Sequence, residues 1–111
     1  MNRGDVRWYA FNPPDKRRPV VILTRNSAIS FLNSITVAPI TSTVRDIPSE
    51  VYLTPEEDGV LTPCAVNLDN IQTVPRRKIG GLLTKLSPQR LGEIDSALCF
   101  ALGVDDLFTA Y

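Results

Sequence analysis

A chain of 111 residues, 43% of them hydrophobic, has the size of one domain with one modest core, so residues 1–111 are expected to form a single domain. Twelve basic and twelve acidic side chains give a formal net charge of zero, which by itself speaks neither for nor against a nucleic-acid partner. No run approaches the roughly 18 consecutive apolar residues of a membrane helix, and the start Met1-Asn2-Arg3-Gly4-Asp5 lacks the apolar segment of a signal peptide, so a cytoplasmic protein with no membrane partner is expected.

The first three quarters of the chain read as strands. From Gly4 to Phe11, Val6, Trp8 and Ala10 alternate with Arg7, Tyr9 and Phe11, which predicts a strand meeting apolar material on both sides. The Asn12-Pro13-Pro14-Asp15-Lys16 stretch breaks it, because proline removes a ladder donor and restricts the residue before it. Pro19 to Leu23 is continuous and β-branched, as expected of a strand buried on both faces. Further strands are predicted over Ser34–Thr41, Glu50–Leu53, Pro63–Leu68 and Ile71–Val74, with a shorter one over 79–84. The acidic Glu56-Glu57-Asp58-Gly59 group reads as a solvated turn.

The period then changes. Ser87-Pro88 supplies an N-cap followed by proline at the first helical position, Leu91, Ile94, Leu98, Ala101 and Leu102 recur at helical spacing, and Gly103 is a C-terminal stop. Short strands closed by one helix, without βαβ alternation, predict a mainly β (α+β) fold: a small antiparallel barrel of about six to seven strands with a C-terminal helix.

Charge is distributed in blocks. Residues 1–50 carry seven Lys/Arg and four Asp/Glu, 51–75 none and four, 76–90 five and none, and 91–111 none and four. Such blocks are compatible with one basic face that steers a polyanion, and equally with ordinary solvated charge. Cys64 and Cys99 have no CxxC partner and are expected to be thiols packed among apolar neighbours.

The missing residue types narrow the chemistry. Without histidine the chain lacks the usual general base of serine and cysteine hydrolases, the paired-histidine ribonuclease mechanism and the commonest zinc ligand. No phosphate-binding GxxxxGK[ST] or GxGxxG motif is present, so neither a cofactor nor a metal is expected. One phosphodiester reaction survives. RNA carries its own nucleophile in the 2′-hydroxyl, which begins with a large effective concentration, and the protein has only to align it and stabilise charge on the phosphate. A guanidinium and a neutral hydroxyl suffice for that, and the reaction is specific to RNA because DNA lacks the nucleophile.

Arg3-Gly4-Asp5-Val6, then Lys16-Arg17-Arg18-Pro19-Val20-Val21-Ile22-Leu23, then Val37-Ala38-Pro39-Ile40-Thr41-Ser42 form a collinear pattern that resembles the MazF/PemK (Kid) family of toxin endoribonucleases. The resemblance continues through Cys64 to Pro75 and Leu83 to Ser87 and so covers nearly the whole chain. It implies an SH3-like barrel, a homodimer, and metal-independent, sequence-specific cleavage of single-stranded RNA to 2′,3′-cyclic phosphate and 5′-hydroxyl ends. It also implies a cognate antitoxin whose acidic, disordered tail shares the RNA groove.

By resemblance, Arg18 and Thr41 occupy the catalytic positions. Read from the residues alone, they are a surface salt-bridge arginine and a strand-end threonine. The Gly-x-Glu-Gln stretch of longer members is absent from the first loop, which leaves Asp15 as the nearest candidate base beside its reading as a solvated aspartate. The family's late Glu-Gln-Ile-Arg-Thr reads Asp69-Asn70-Ile71-Gln72-Thr73 and loses an arginine. Tyr9, Phe11, Lys16, Arg17, Arg25, Asn26 and Ser42 are candidate RNA-binding residues, aromatics for stacking and cations for phosphates. Trp8 is assigned to core or interface, and Arg76-Arg77-Lys78 to the RNA path, an acidic partner or a solvated turn. The rivals to the nuclease are a non-catalytic gyrase poison of the CcdB kind on the same scaffold, acting through its C-terminal helix and tail, and a degenerate binding module without activity.

Overall fold

The computed structural model describes residues 1–12 and 16–104. Seven strands are present: β1 (Asp5–Ala10), β2 (Arg17–Ile22), β3 (Ser34–Thr41), β4 (Glu50–Leu53), β5 (Cys64–Asn67), β6 (Gln72–Pro75) and β7 (Ile79–Lys85). The helices are the single turns α1 (Asn26–Ile29) and α2 (Pro55–Asp58) and the 15-residue α3 (Pro88–Leu102). All pairings are antiparallel, in the order β4-β5-β3-β2-β1-β7 with β6 on β3, and among the described residues the sheet curls like a barrel without closing.

β3 organises the sheet because its eight residues serve two neighbours along one edge. Its first half pairs with β6, from Ser34 opposite Pro75 to Val37 opposite Gln72. Its end pairs with β5, Ile40 opposite Val66 and Thr41 opposite Ala65. A 3-10 turn at Leu68–Asn70, capped by the Asn67 side chain, makes the step between those two partners.

The unbroken apolar run of β2 is explained by burial on both faces. Val21 points into one cluster with Val6, Ala38, Ile40, Leu53 and Val66, against which Ile94 and Ala97 of α3 pack. Val20 and Ile22 point into the other, with Tyr9, Ile29, Ile35, Val37 and Val74. Alternation thus sends successive residues into two cores, each stabilised by roughly 25 cal/mol per Å² of apolar surface removed from water.

α3 begins and ends where its sequence signals stand. The Ser87 hydroxyl accepts from the amide of Arg90, Pro88 holds the first helical position, and Gly103 closes the helix at φ 72°. The Arg3-Gly4 start of β1 docks it: Arg3 Nη2 reaches Asp95 at 2.6 Å and Arg3 Nε donates to the Leu23 carbonyl at 2.9 Å. Gly4 sits at φ 91°, with Leu91 packed where a β-carbon would stand.

Two expectations are corrected. Glu56, Glu57 and Gly59 are exposed, as expected of a solvated turn, but Asp58 is not. Thr54 caps a helical turn by accepting from Glu57, and Gly59 ends it at φ 74°. Asp58 is buried at 6% exposure, with Arg90 Nε 2.9 Å from its Oδ1, an ion pair that local sequence could not reveal because Arg90 lies 32 positions away. Cys99 is exposed on α3, whereas Cys64 is buried.

Candidate active site

β2 and β3 pair from Ile22 opposite Val37 to Val20 opposite Pro39, and the same register carried two residues further sets Arg18 across from Thr41. Beyond that ladder a groove of about 490 Å³ opens, lined by both residues. One wall is cationic, from Lys16, Arg17 and Arg18; a second carries the hydroxyls of Thr41, Ser42, Thr43 and Thr62; a third is apolar, from Trp8, Leu61 and Leu83. No carboxylate is among the described lining residues.

Each catalytic candidate is held by its neighbours. Arg18 is half-buried at the entrance of β2, where Pro19 restrains its backbone, and its guanidinium carbon lies 5.7 Å from the centre of the Phe11 ring. Phe11 is itself braced edge-on by Tyr9 at 4.9 Å. The Thr41 hydroxyl oxygen accepts from the amide of Thr43 at 3.1 Å. A hydroxyl carries a single proton, so this contact leaves the O–H of Thr41 able to donate to a ligand in the groove.

The structure gathers Lys16, Arg17, Arg18, Thr41 and Ser42 around one groove. Asp15 lies outside the described residues. Tyr9 is corrected: it is 9% exposed and belongs to the second core, because its parity in β1 matches Val20 across the ladder. Phe11 packs on that core and behind Arg18, away from the groove walls. Arg25 and Asn26 are also separated from the groove. Arg25 borders another cavity with Leu32, Ile71, Leu98 and Leu102, and the Asn26 side chain accepts from the amide of Arg3 at 2.7 Å. The basic run Arg76–Lys78 forms a 3-10 turn at the Ser34 end of β3, opposite to Thr41, where the Arg76 guanidinium donates to the Ile29 carbonyl.

Sequence reasoning missed the apolar wall. Trp8 is half-buried in the groove with the Arg17 guanidinium 4.5 Å from its ring centre, and is not enclosed in a core. Strand alternation had separated Trp8 from Tyr9, but period two does not say which face is enclosed. Leu61 and Thr62 reach the groove from the segment after α2, whose position depends on the buried Asp58.

The buried Cys64 thiol at the groove floor has its pKa pushed up to about 11, first by burial and second by the Asp58 carboxylate, so it is no nucleophile at neutral pH. The Arg90 guanidinium is held charged even more firmly than usual by its hydrogen bonds to Asp58 and then Glu93.

Comparisons with known proteins agree with this geometry. Residues 2–102 match the family model described as PemK-like, MazF-like toxin of type II toxin-antitoxin system. The chain is 39% identical over 103 residues to the probable endoribonuclease MazF2 of Mycobacterium tuberculosis, covering 93% of this chain and 99% of that protein. It is 42% identical over 87 residues to the endoribonuclease MazF3 of the same species, covering 75% and 84%. Among solved structures it is similar to the M. tuberculosis toxin MazF-mt6, with a TM-score of 0.81 at 33% identity over 89% of this chain and 96% of that one. It also superimposes, with a TM-score of 0.82 at 28% identity over 93% and 95%, on a mycobacterial endoribonuclease in complex with its cognate antitoxin. None of these relatives is named as a gyrase poison. The chain belongs to the PemK-like, MazF-like family of toxins of type II toxin-antitoxin systems.

Proposed function

We propose that this chain is the endoribonuclease toxin of a type II toxin-antitoxin pair, a single toxin domain that cuts single-stranded RNA at a short sequence motif without a metal ion. The observation that supports the reading is that Arg18 and Thr41 both line one groove and stand across from each other when the β2–β3 register is extended by two residues. A scissile phosphate between them meets a fixed guanidinium and a hydroxyl donor.

The 2′-hydroxyl of the ribose attacks the adjacent phosphorus, and the 5′-oxygen of the next nucleotide leaves and takes a proton from water. The products are a 2′,3′-cyclic phosphate and a 5′-hydroxyl. Arg18 stabilises the charge that builds on the non-bridging oxygens, and Thr41 donates to one of them, contacts that are stronger in the transition state than in the ground state. The Arg18 guanidinium serves here as a fixed charge and not as a proton donor. The proton of the 2′-hydroxyl passes to a base that the described groove walls do not supply, and Asp15 of the first loop is our candidate. Lys16, Arg17 and Ser42 hold flanking phosphates.

The toxin works in the cytoplasm as a homodimer and is silenced by an antitoxin whose acidic tail lies in the same basic groove. Among the described residues no helix is long and apolar enough to cross a membrane.

The test is incubation of the purified chain with a long single-stranded RNA in EDTA, followed by analysis of fragment ends. Cyclic phosphate and 5′-hydroxyl termini are expected, with cleavage reduced about 10²- to 10³-fold by Arg18→Ala while the far-ultraviolet spectrum is unchanged. Dependence on a divalent ion, or 3′-hydroxyl ends, overturns the reading.

A further inference from the structure

Trp8 occupies an unusual place in β1. The ladder to β7 shifts register around it: Arg7 pairs with Leu82 and Tyr9 with Ile79, so the single residue Trp8 faces two, Gly80 and Gly81. A bulge re-aims the side chain opposite it, and this one is built from residues without side chains. A β-carbon on Gly80 would lie 3.1 Å from the Trp8 carbonyl oxygen, and Gly81 has open space around it. The two glycines therefore place no side chain over the indole at that point of β7.

Three further observations bear on what that surface takes. Trp8 is the only described aromatic residue lining the groove with Arg18 and Thr41, since Tyr9 is core and Phe11 stands behind Arg18. Leu61 and Leu83 extend the apolar wall beside it. Arg17, exposed at the start of β2, already lays its planar guanidinium 4.5 Å from the centre of the ring, so the π face is accessible from solvent and accepts a flat group.

We infer that Trp8 is the platform on which one unpaired RNA base stacks, and that Arg17 leaves the indole as the base arrives and moves onto the neighbouring phosphate. This rests on the reading of the groove as an RNA site and adds the residue that grips a base. The exchange is favourable in both halves. A base covers more of the indole than a guanidinium does, and the displaced arginine trades an exposed cation–π contact for a charge-assisted hydrogen bond to phosphate. Because the wall beside Trp8 is apolar, stacking strength and fit at this position contribute to the choice of cleavage motif.

Trp8 is the single tryptophan of the chain, so its emission reports this site alone. The probe is a randomised single-stranded RNA with 2′-O-methyl groups throughout, which offers no nucleophile, and its binding is followed independently by anisotropy of an end label. Binding is expected to quench Trp8 emission, and Arg17→Ala is expected to leave that quenching in place while weakening affinity and lowering its salt dependence. In cleavage of ordinary RNA, Trp8→Ala is expected to raise KM about tenfold with a much smaller change in kcat, and Trp8→Phe to recover most of the loss. Trp8→Phe also keeps the test decisive should the alanine variant misfold, because its motif preference should shift even where its KM recovers. Failure of the probe to bind, emission that stays unchanged at saturation, or variants at position 8 with unaltered KM and motif overturn the inference. If the intact chain does not cut RNA but the probe still quenches emission, the nuclease reading falls and the stacking platform stands. If it cuts RNA with Trp8 unresponsive, the reverse holds.

Discussion

Arg90 reaches across from the first turn of α3 to place its Nε 2.9 Å from Oδ1 of Asp58, whose side chain is 2% exposed, and the other oxygen of that carboxylate accepts from the amide of Thr54 at 2.9 Å. The same guanidinium holds Glu57 at 2.7 Å and Glu93 at 2.9 Å. One arginine thus binds two carboxylates of the acidic turn and ties it to the helix, just before the chain enters the groove lining at Val60–Thr62.

A buried pair is far costlier to break than to replace, because the surviving partner is left as an uncompensated charge. Arg90→Ala is expected to lower stability by about 3–5 kcal/mol, and Arg90→Lys by less but still measurably, since a single ammonium cannot reproduce the planar fork. Urea denaturation of both variants checks this. A loss below about 1 kcal/mol for Arg90→Ala would show that the pair is solvated in solution.

Gly59 offers a second test of the same corner. It sits at φ 74°, and an added β-carbon would stand 2.7 Å from Oγ1 of Thr84, the hydroxyl that donates to the Asp58 carbonyl at 3.0 Å. Gly59→Ala is expected to cost about 1–3 kcal/mol through backbone strain together with the lost hydrogen bond. Pairing it with Thr84→Ala relieves the clash but not the strain, so the double variant should recover only part of the loss in thermal melts.

The two thiols should behave differently. Cys99 is exposed and Cys64 buried, with the Cys64 pKa raised to about 11, so an alkylating reagent at pH 8 is expected to label one cysteine per folded chain and two in urea. The raised value also has a sign for stability. Above the unfolded thiol pKa near 9 the unfolded chain releases a proton that the folded chain retains, so this group lowers stability as pH rises from about 9 to 11 and has no effect below that window. Melting temperatures of the native chain and Cys64→Ala, which cannot ionise, should diverge in slope only above pH 9.

For the reaction itself, Thr41→Val removes the donor while keeping the shape, and kcat is expected to fall about 10²-fold with KM little changed, whereas Thr41→Ser should keep most of the activity. Single-turnover cleavage of a long single-stranded RNA distinguishes the two. Equal losses for valine and serine would show that the Thr41 hydroxyl does not act on the phosphate.

How much of this was legible in the chain follows from the range of each interaction. The seven strands and α3 were readable because alternation, capping and proline placement are local, and Ser87, Pro88 and Gly103 act at the positions where they signal. The turns α1 and α2 were not, since four residues show no helical period and α2 is secured by Arg90 from a distant element. For the site, the pattern around Arg18 and Thr41 singled out two residues that both line one groove. The groove assignment failed at Tyr9 and the core alternative failed at Trp8, because period two gives opposite faces without naming the enclosed one.

The amino-acid sequence by itself determined the order and kind of the elements and the chemical types present: a chain without histidine that carries arginines and hydroxyls at strand ends. These are properties of neighbouring residues, fixed by backbone sterics and hydrogen bonding over a few positions. Only the tertiary structure decided that Asp58 would be buried, that Arg25 and Arg76 would lie away from the groove, and that Trp8 would line it. Each of those outcomes depends on which strands share an edge and how far the sheet curls, contacts made between residues tens of positions apart.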